Sequence, residues 1–402
     1  MPDRARAPRA VAGILSRVVS LVLAALLVAA QETPAHAAEL PPEKVSALQA
    51  ALEELQERFH IPGMSAALVH RRAVAWSKGF GFADLEHDVW AEPDTRYRIA
   101  SVSKPFAAVL LLQLVEQGKL SLDAPMKDFD VPLWFAPDPV RYREQPVLVR
   151  HVLTHTSEGT PGERYAYNGN AYADLTWVVE GVTRTAYSRL LQQRVFDPLR
   201  MTDSVPGHVR IGATSPVEMA RPYRWQSPEF LPTAYQILDP DPELDLTGFD
   251  PILRMPGSAL ALRQQLLGEG LVHWNGVSTS DGIVTTVLDL AKFDAALDEE
   301  RLISRASRER MFTPAVANDG TVLPYGLGWF VETIDGRKVC WHYGWLPPSV
   351  SALYVKVPEA ELTFLLLANT DALSAGFAWT REGVRASPFA RAFLGTFGLE
   401  DG

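Results

Sequence analysis

Ser101-Val102-Ser103-Lys104 is the stretch of this sequence whose residue types and spacing are best suited to chemistry. A serine hydroxyl is a weak nucleophile until a neighbouring base takes its proton. Lysine serves as that base only when its charge is suppressed. Burial does this, and the positive N-terminal end of a helix adds to it. Residues three apart share a helix face. Residues 102–117 read as an apolar helix closed by Gly118, so Ser101 and Lys104 at its start can meet. The same helix start aims backbone N–H groups at a developing oxyanion. Ser103 is a competing nucleophile, but it projects from a different face. Taken alone, S-x-x-K also fits a helix cap followed by a surface lysine, so the rest of the chain must decide.

The elements around it suggest how such a pair would be held. Val45, Leu48, Leu52, Leu55 and Phe59 have helical spacing over 43–59. The apolar runs 64–69 and 73–80, joined by His70-Arg71-Arg72, read as a hairpin. The middle is mostly helical, including 170–182, 186–196 and 286–297. Residues 205–275 are rich in Pro, Asp and Trp and read as long loops with a short helix near 258–267. Late in the chain, 325–333, 337–342, 349–357 and 361–369 read as strands, and a last helix spans about 384–396. Strands at both ends with helices between predict an α+β fold. One antiparallel sheet from both chain ends is flanked by helices and carries an inserted, mostly helical domain. The unit spans 43–396, with sheet-bearing parts at 43–105 and 310–396 and the insertion at 106–309.

Composition narrows the function classes. The 402 residues are 47% hydrophobic with a formal charge of −10, and no run of five basic residues occurs. That disfavours a nucleic-acid partner and leaves a small molecule or peptide as the expected substrate. At the N-terminus, Arg4, Arg6, Arg9 and Arg17 precede an apolar run from Val18 to Ala30, and Pro34-Ala35-His36-Ala37 follows. A basic start, a short apolar core and an A-x-A end describe a secretory signal peptide over 1–37. The run is too short to span a bilayer, so no stable membrane span is expected after cleavage. Export to the periplasm or medium follows. Cys340 is the only cysteine, so no internal disulfide can form.

Arg98-Ile99-Ala100-Ser101-Val102-Ser103-Lys104-Pro105 resembles the nucleophile segment of the beta-lactamase-related serine hydrolases, which include class C beta-lactamases, D-amino-acid peptidases and beta-lactamase-like esterases. Four further stretches match in order: 151–157 (His-Val-Leu-Thr-His-Thr-Ser), 195–202 (Val-Phe-Asp-Pro-Leu-Arg-Met-Thr), 325–329 (Tyr-Gly-Leu-Gly-Trp) and His342-Tyr343-Gly344. Together they cover roughly 43–396. The resemblance implies a beta-lactamase/transpeptidase-like fold, an acyl-enzyme mechanism and no metal or organic cofactor. The family's second motif is Y-x-N. Here Tyr167 matches the tyrosine that helps relay the serine proton, with Tyr165 as a less favoured substitute. Gly169 stands where the asparagine belongs, flanked by Asn168 and Asn170 as candidate substrate contacts. The third motif, K-T-G in beta-lactamases, is His342-Tyr343-Gly344, a form the resemblance associates with esterases and some peptidases. By that resemblance His342 is expected to be a catalytic residue that supports the oxyanion side without carrying the proton. Gly344 would let the strand approach the substrate, and the Trp345 N–H would join that of Ser101 as the second oxyanion donor.

Other motifs are set aside. His151 and His155 are four apart, but no glutamate of H-E-x-x-H and no third ligand accompany them. Ser280-Asp281-Gly282 mimics S-D-N but lies far after the tyrosine loop. Gly63-Met64-Ser65-Ala66-Ala67 misses G-x-S-x-G and reads as strand. Trp225, Phe230 and Trp274 are candidates to line a substrate pocket. The expectation is a serine hydrolase cleaving an ester, amide or D-peptide, of esterase or D-amino-acid peptidase type. The alternatives are a beta-lactamase, or a binding or sensor protein on the same fold, which Gly169 and Trp345 would favour. Export has its own check: N-terminal sequencing of the secreted or periplasmic protein should begin at Ala38, and a chain beginning at Met1 would refute cleavage.

Overall fold

The computed structural model describes residues 39–129, 131, 146–207, 218–223, 276–347 and 349–399. The signal peptide expected over 1–37, the short helix expected near 258–267, and Trp225, Phe230 and Trp274 lie outside the described residues. From Leu40 onward the chain forms one compact unit.

Both chain ends do contribute to one sheet. Gly63–His70 (β1) and Ala73–Asp84 (β2) form the expected hairpin, turned by Arg71 and Arg72 at positive φ, as a tight hairpin turn requires. Val89–Trp90 (β3) pairs with β2 at the edge. The late strands are Phe330–Ile334 (β7), Arg337–Leu346 (β8), Val350–Val357 (β9) and Leu362–Ala368 (β10). The order is β3-β2-β1-β10-β9-β8-β7, antiparallel throughout, and β1 of the hairpin lies beside β10.

The central strands read as nearly continuous apolar runs because both faces are covered. Along β1, Ala67 and Val69 face one core while Met64, Ala66 and Leu68 face the other. The second core is shared with Pro42–Arg58 (α1) and Pro388–Thr396 (α5), which pack together at the chain ends. The first core holds Lys104–Glu116 (α2), a helix apolar nearly all round and therefore buried. Its Phe106 stacks on Phe293 of Val287–Asp298 (α4) at 3.9 Å.

Two differences from the sequence expectation matter for the site. The strand expected from 325 begins at Phe330, and Tyr325 is joined to Phe330 only by an isolated bridge. The strand expected over 337–342 runs on to Leu346, so His342-Tyr343-Gly344 lies within β8. The helical middle also carries a small sheet of Tyr97–Arg98 (β4), Ile283–Thr285 (β6) and Val205–Pro206 (β5).

Gly344 sets how closely β8 meets the Ser101 turn. A Cβ there would lie 2.2 Å from the Ile99 carbonyl oxygen and 3.1 Å from the Ala352 Cβ. Gly344→Ala should therefore push β8 off that turn and cost about 1–3 kcal/mol. Gly181 is an exposed position of the otherwise largely buried helix Leu175–Thr183, with nothing near a new Cβ, so Gly181→Ala should stabilise by about 0.5–1 kcal/mol. Denaturant unfolding compares the two; equal effects would remove the steric argument.

Candidate active site

The nucleophile segment begins with a tight turn rather than with the α-helix. Ala100 has a positive φ of 44°, residues Ala100–Ser103 form a 3₁₀ turn, and α2 starts at Lys104. The i, i+3 geometry survives in this tighter helix, whose three-residue repeat eclipses positions three apart. Lys104 Nζ lies 2.8 Å from Ser101 Oγ. Ser101 remains partly accessible while Lys104 is fully buried. Ser103 does face elsewhere: its buried hydroxyl accepts from the Ile283 N–H at 3.3 Å.

The lysine has a second hydrogen-bonding neighbour, from a stretch that no feature of the sequence places here. Nζ lies 3.1 Å from the Ser280 carbonyl oxygen and 2.9 Å from Ser280 Oγ. The distance along the chain is bridged by the small sheet. β4 and β6 pair antiparallel with Tyr97 opposite Thr285 and Arg98 opposite Val284, and the Ile99 N–H continues the ladder to Ile283 O. Carried on through the turn, that register brings the 280–281 segment to Ser101. Gly282, at φ 102°, makes the bend; a Cβ there would lie 2.1 Å from Gly276 O. Ser280-Asp281-Gly282 thus reaches Lys104 despite its late position in the chain. The β-branched Ile283-Val284-Thr285 run after Gly282 is the one local signal of a strand there, and nothing in the sequence reveals which strand it pairs with.

Burial sets the charge of Lys104. It pulls the ammonium down to about 7, against an upward influence from Asp281. Asp281 accepts from Ser278 Oγ at 2.9 Å. The rings of Tyr167 and Tyr172 lie 5.1 and 5.3 Å from Nζ, and Tyr172 Oη donates to the Lys104 carbonyl at 3.4 Å. A substantial share of the lysine is therefore free amine near neutral pH.

Tyr167 is held in an aromatic cluster. Its ring lies 4.2 Å from that of His155 and stacks at 6.0 Å on Phe330 and 6.2 Å on Tyr343. Burial pushes its phenol well above the ordinary value; Tyr343 adds to this, and the Ser101 hydroxyl pulls against it. The buried Oη has no hydrogen-bond partner of good geometry, Ser101 included. It is a neutral phenol beside Ser101. Tyr165 packs against Tyr325 farther along the cluster.

The flanking asparagines differ. The Asn168 N–H donates to His155 Nδ1 at 3.1 Å. The Asn168 side chain caps Gly169–Ala173 (α3) by accepting from the Ala171 N–H at 3.0 Å, and its amide donates to Glu158 at 2.6 Å. Its carboxamide is thus occupied at both ends within the chain. Asn170 is exposed. The two histidines of the 151–157 loop spend Nδ1 on backbone N–H groups, His151 from Leu148 and His155 from Asn168.

His342, by contrast, has both nitrogens committed. Nδ1–H donates to the Tyr343 carbonyl at 2.7 Å, which leaves Nε2 to accept from the Tyr325 hydroxyl at 2.8 Å. Burial, with the Lys104 charge adding, holds the imidazole well below its ordinary value and therefore neutral. It fixes β8 to the Tyr325 segment and holds no proton for a substrate. Beyond Trp341, β8 pairs with β9 but not with β7, so its Gly344-Trp345 stretch borders the Ser101 turn on one side. Trp345 is partly exposed, and its indole donates to Asp371 at 3.1 Å.

A family model described as Beta-lactamase matches residues 48–385. The chain belongs to the beta-lactamase family. Among curated family members, Penicillin-binding protein 4* of Bacillus subtilis is 24% identical over 362 residues, covering 81% of this chain and 71% of that protein. Protein flp of Staphylococcus aureus is 26% identical over 184 residues, 38% of this chain and 36% of its own length. Among solved structures of the fold, the D-amino acid amidase of Ochrobactrum anthropi in complex with L-phenylalanine amide gives a TM-score of 0.64 at 22% identity. The match covers 89% of this chain and 99% of that one. The octameric penicillin-binding protein homologue of Pyrococcus abyssi gives 0.63 at 22%, covering 87% and 77%. The beta-lactamase/transpeptidase-like α+β fold is thereby shown.

The lysine makes a pH prediction. Below about 7 Nζ is protonated and cannot take the Ser101 proton; above it the amine is free. The rate of Ser101 modification by a fluorophosphonate should rise through about pH 7 and level off above it. A rise delayed to the ordinary lysine range would show that Lys104 is not held neutral.

Proposed function

We propose that the chain is an exported serine hydrolase that cleaves an ester or amide through an acyl-enzyme on Ser101, of esterase or D-amino-acid amidase or peptidase type. The observation that carries this is the 2.8 Å approach of a fully buried lysine amine to a partly accessible serine hydroxyl. The O. anthropi and Streptomyces neighbours, named as a D-amino acid amidase and a D-stereospecific amidohydrolase, support the amide side of the reading. The fully committed Asn168 and the glycine at 169 leave no second-motif asparagine beside Lys104. That favours these activities over a beta-lactamase.

In this mechanism Ser101 Oγ attacks the substrate carbonyl as its proton passes to Lys104 Nζ. The oxyanion that forms is held by the Ser101 and Trp345 N–H groups. The tetrahedral species collapses when the leaving oxygen or nitrogen receives that proton, with the neutral Tyr167 phenol as relay. Water then attacks the acyl ester, Lys104 takes the water proton, and Ser101 leaves with a proton restored.

Ser101→Ala should abolish fluorophosphonate labelling and turnover, and Lys104→Ala should come close to it, with losses of about ten-thousandfold. Ser103→Ala should keep most activity. A panel of short-chain nitrophenyl esters, D-amino-acid amides, D-alanyl peptides and nitrocefin reads both rate and class. Turnover that follows Ser103 rather than Ser101 would overturn the nucleophile, and nitrocefin as the best substrate would overturn the class.

A further inference from the structure

Three oxygens surround the amine of Lys104, and two belong to one residue. Ser101 Oγ is at 2.8 Å, Ser280 Oγ at 2.9 Å and Ser280 O at 3.1 Å. A neutral amine has two hydrogens and one lone pair. A carbonyl oxygen can only accept, so one hydrogen goes to Ser280 O. The other hydrogen goes to one hydroxyl, and the lone pair receives a proton from the other. A serine whose oxygen attacks a carbonyl must point its own proton away, toward the base. In the reactive arrangement Ser101 donates to Nζ, and the second lysine hydrogen is left for Ser280 Oγ.

Resting on the reading of Ser101 as nucleophile and Lys104 as its base, we propose that Ser280 is a positioning residue for that step. Its carbonyl and hydroxyl oxygens each hold one hydrogen of the Lys104 amine and so keep the nitrogen lone pair aimed at the Ser101 hydroxyl. The glycine at 169 belongs to the same device. A Cβ there would meet Ser280 Oγ at 3.3 Å, so a side chain at 169 would crowd the hydroxyl that holds the lysine. Where the resembled motif places an asparagine, this chain leaves room and brings a serine from another loop.

Ser280 is itself held in place. It is buried, and its N–H donates to Ser278 Oγ at 3.2 Å. The other groups that influence Lys104 or share its charge are the Asp281 carboxylate, the phenols of Tyr167 and Tyr172, and the imidazoles of His155 and His342. Burial keeps both imidazoles neutral. Among the described residues, Ser280 is the one besides Ser101 that puts oxygen within hydrogen-bonding distance of Nζ.

The test uses the full chain carrying Ser280→Ala or Ser280→Thr. The Lys104 titration is followed by NMR of carbon-labelled lysine, assigned through Lys104→Ala, and fluorophosphonate labelling is measured across pH. Losing the hydroxyl removes a bond that is stronger to the ammonium than to the amine. In Ser280→Ala the titration should therefore move down, by about half a pH unit. The plateau labelling rate should still fall about tenfold, because the lone pair is no longer held toward Ser101. More free amine with slower reaction marks orientation rather than basicity. Ser280→Thr, which keeps a hydroxyl, should restore both. An unchanged plateau in the alanine variant, or a threonine variant as slow as the alanine one, would overturn the proposal. If the unmodified chain does not label at all, the nucleophile reading falls. The titration alone then decides the Ser280–Lys104 bond: a shift in the alanine variant keeps it, and no shift removes it.

Discussion

A lysine buried without a carboxylate in contact is the constraint around which this molecule is arranged. An ammonium removed from water is costly unless paired, and Lys104 is fully buried among hydroxyls, a carbonyl and two aromatic rings. The protein accepts that cost by letting the group titrate near neutrality. Such an environment needs apolar walls and a narrow choice of neighbours. α2 is buried on nearly every side, and the Tyr167–Phe330–Tyr343 stack closes the other flank. Opening any of these walls to water would return the lysine toward its ordinary charge.

Close backbone approach is the second requirement, and glycines meet it at two contacts with the nucleophile segment. Gly344 lets β8 lie on the Ile99 carbonyl, and Gly328 lets the 325–329 segment lie on α2. A Cβ at 328 would come 2.8 Å from Ala108 Cβ and 3.0 Å from Lys104 O. Tyr325 of that segment then donates to His342 of β8. The two late sequence stretches are thus bonded to each other and packed against the one that carries the serine. Their order along the chain had suggested a common family; their contacts show what each contributes to one site.

What the sequence made legible follows the range of the interactions. Ser101 and Lys104 are three residues apart, and local helical geometry alone brings them together. The hairpin and the late strands announced themselves through apolar runs and turn residues, and antiparallel closure of both ends followed from their placement. Ser280 was not legible, because its place depends on β6 pairing with β4 across some 180 residues, and register between distant short strands leaves no local trace. His342 was read by its motif as supporting the oxyanion side. Its strand places it where both nitrogens are consumed internally. Asn168 was read as a substrate contact, and the helix beginning at Gly169 takes its side chain as a cap.

A second buried lysine in the same fold shows how much neighbours decide. Lys356 of β9 is nearly as buried as Lys104, yet its Nζ lies 3.0 Å from Asp294 and 2.7 Å from Asp298. Burial pulls its ammonium down, but the two carboxylates outweigh burial and hold it above the ordinary lysine value. Tyr354 and Thr363 donate to the same Asp294, so the charge ties α4 to β9 and β10. Lys104 has the same side chain at comparable depth, with Asp281 acting on it only from beyond hydrogen-bond range, and burial wins. One lysine is fixed as a structural cation and the other is left to titrate near neutrality. The difference lies in whether carboxylates or hydroxyls reach the nitrogen. By the same reasoning, a carboxylate brought to the 280 position would hold the Lys104 ammonium charged, as Asp294 and Asp298 hold that of Lys356.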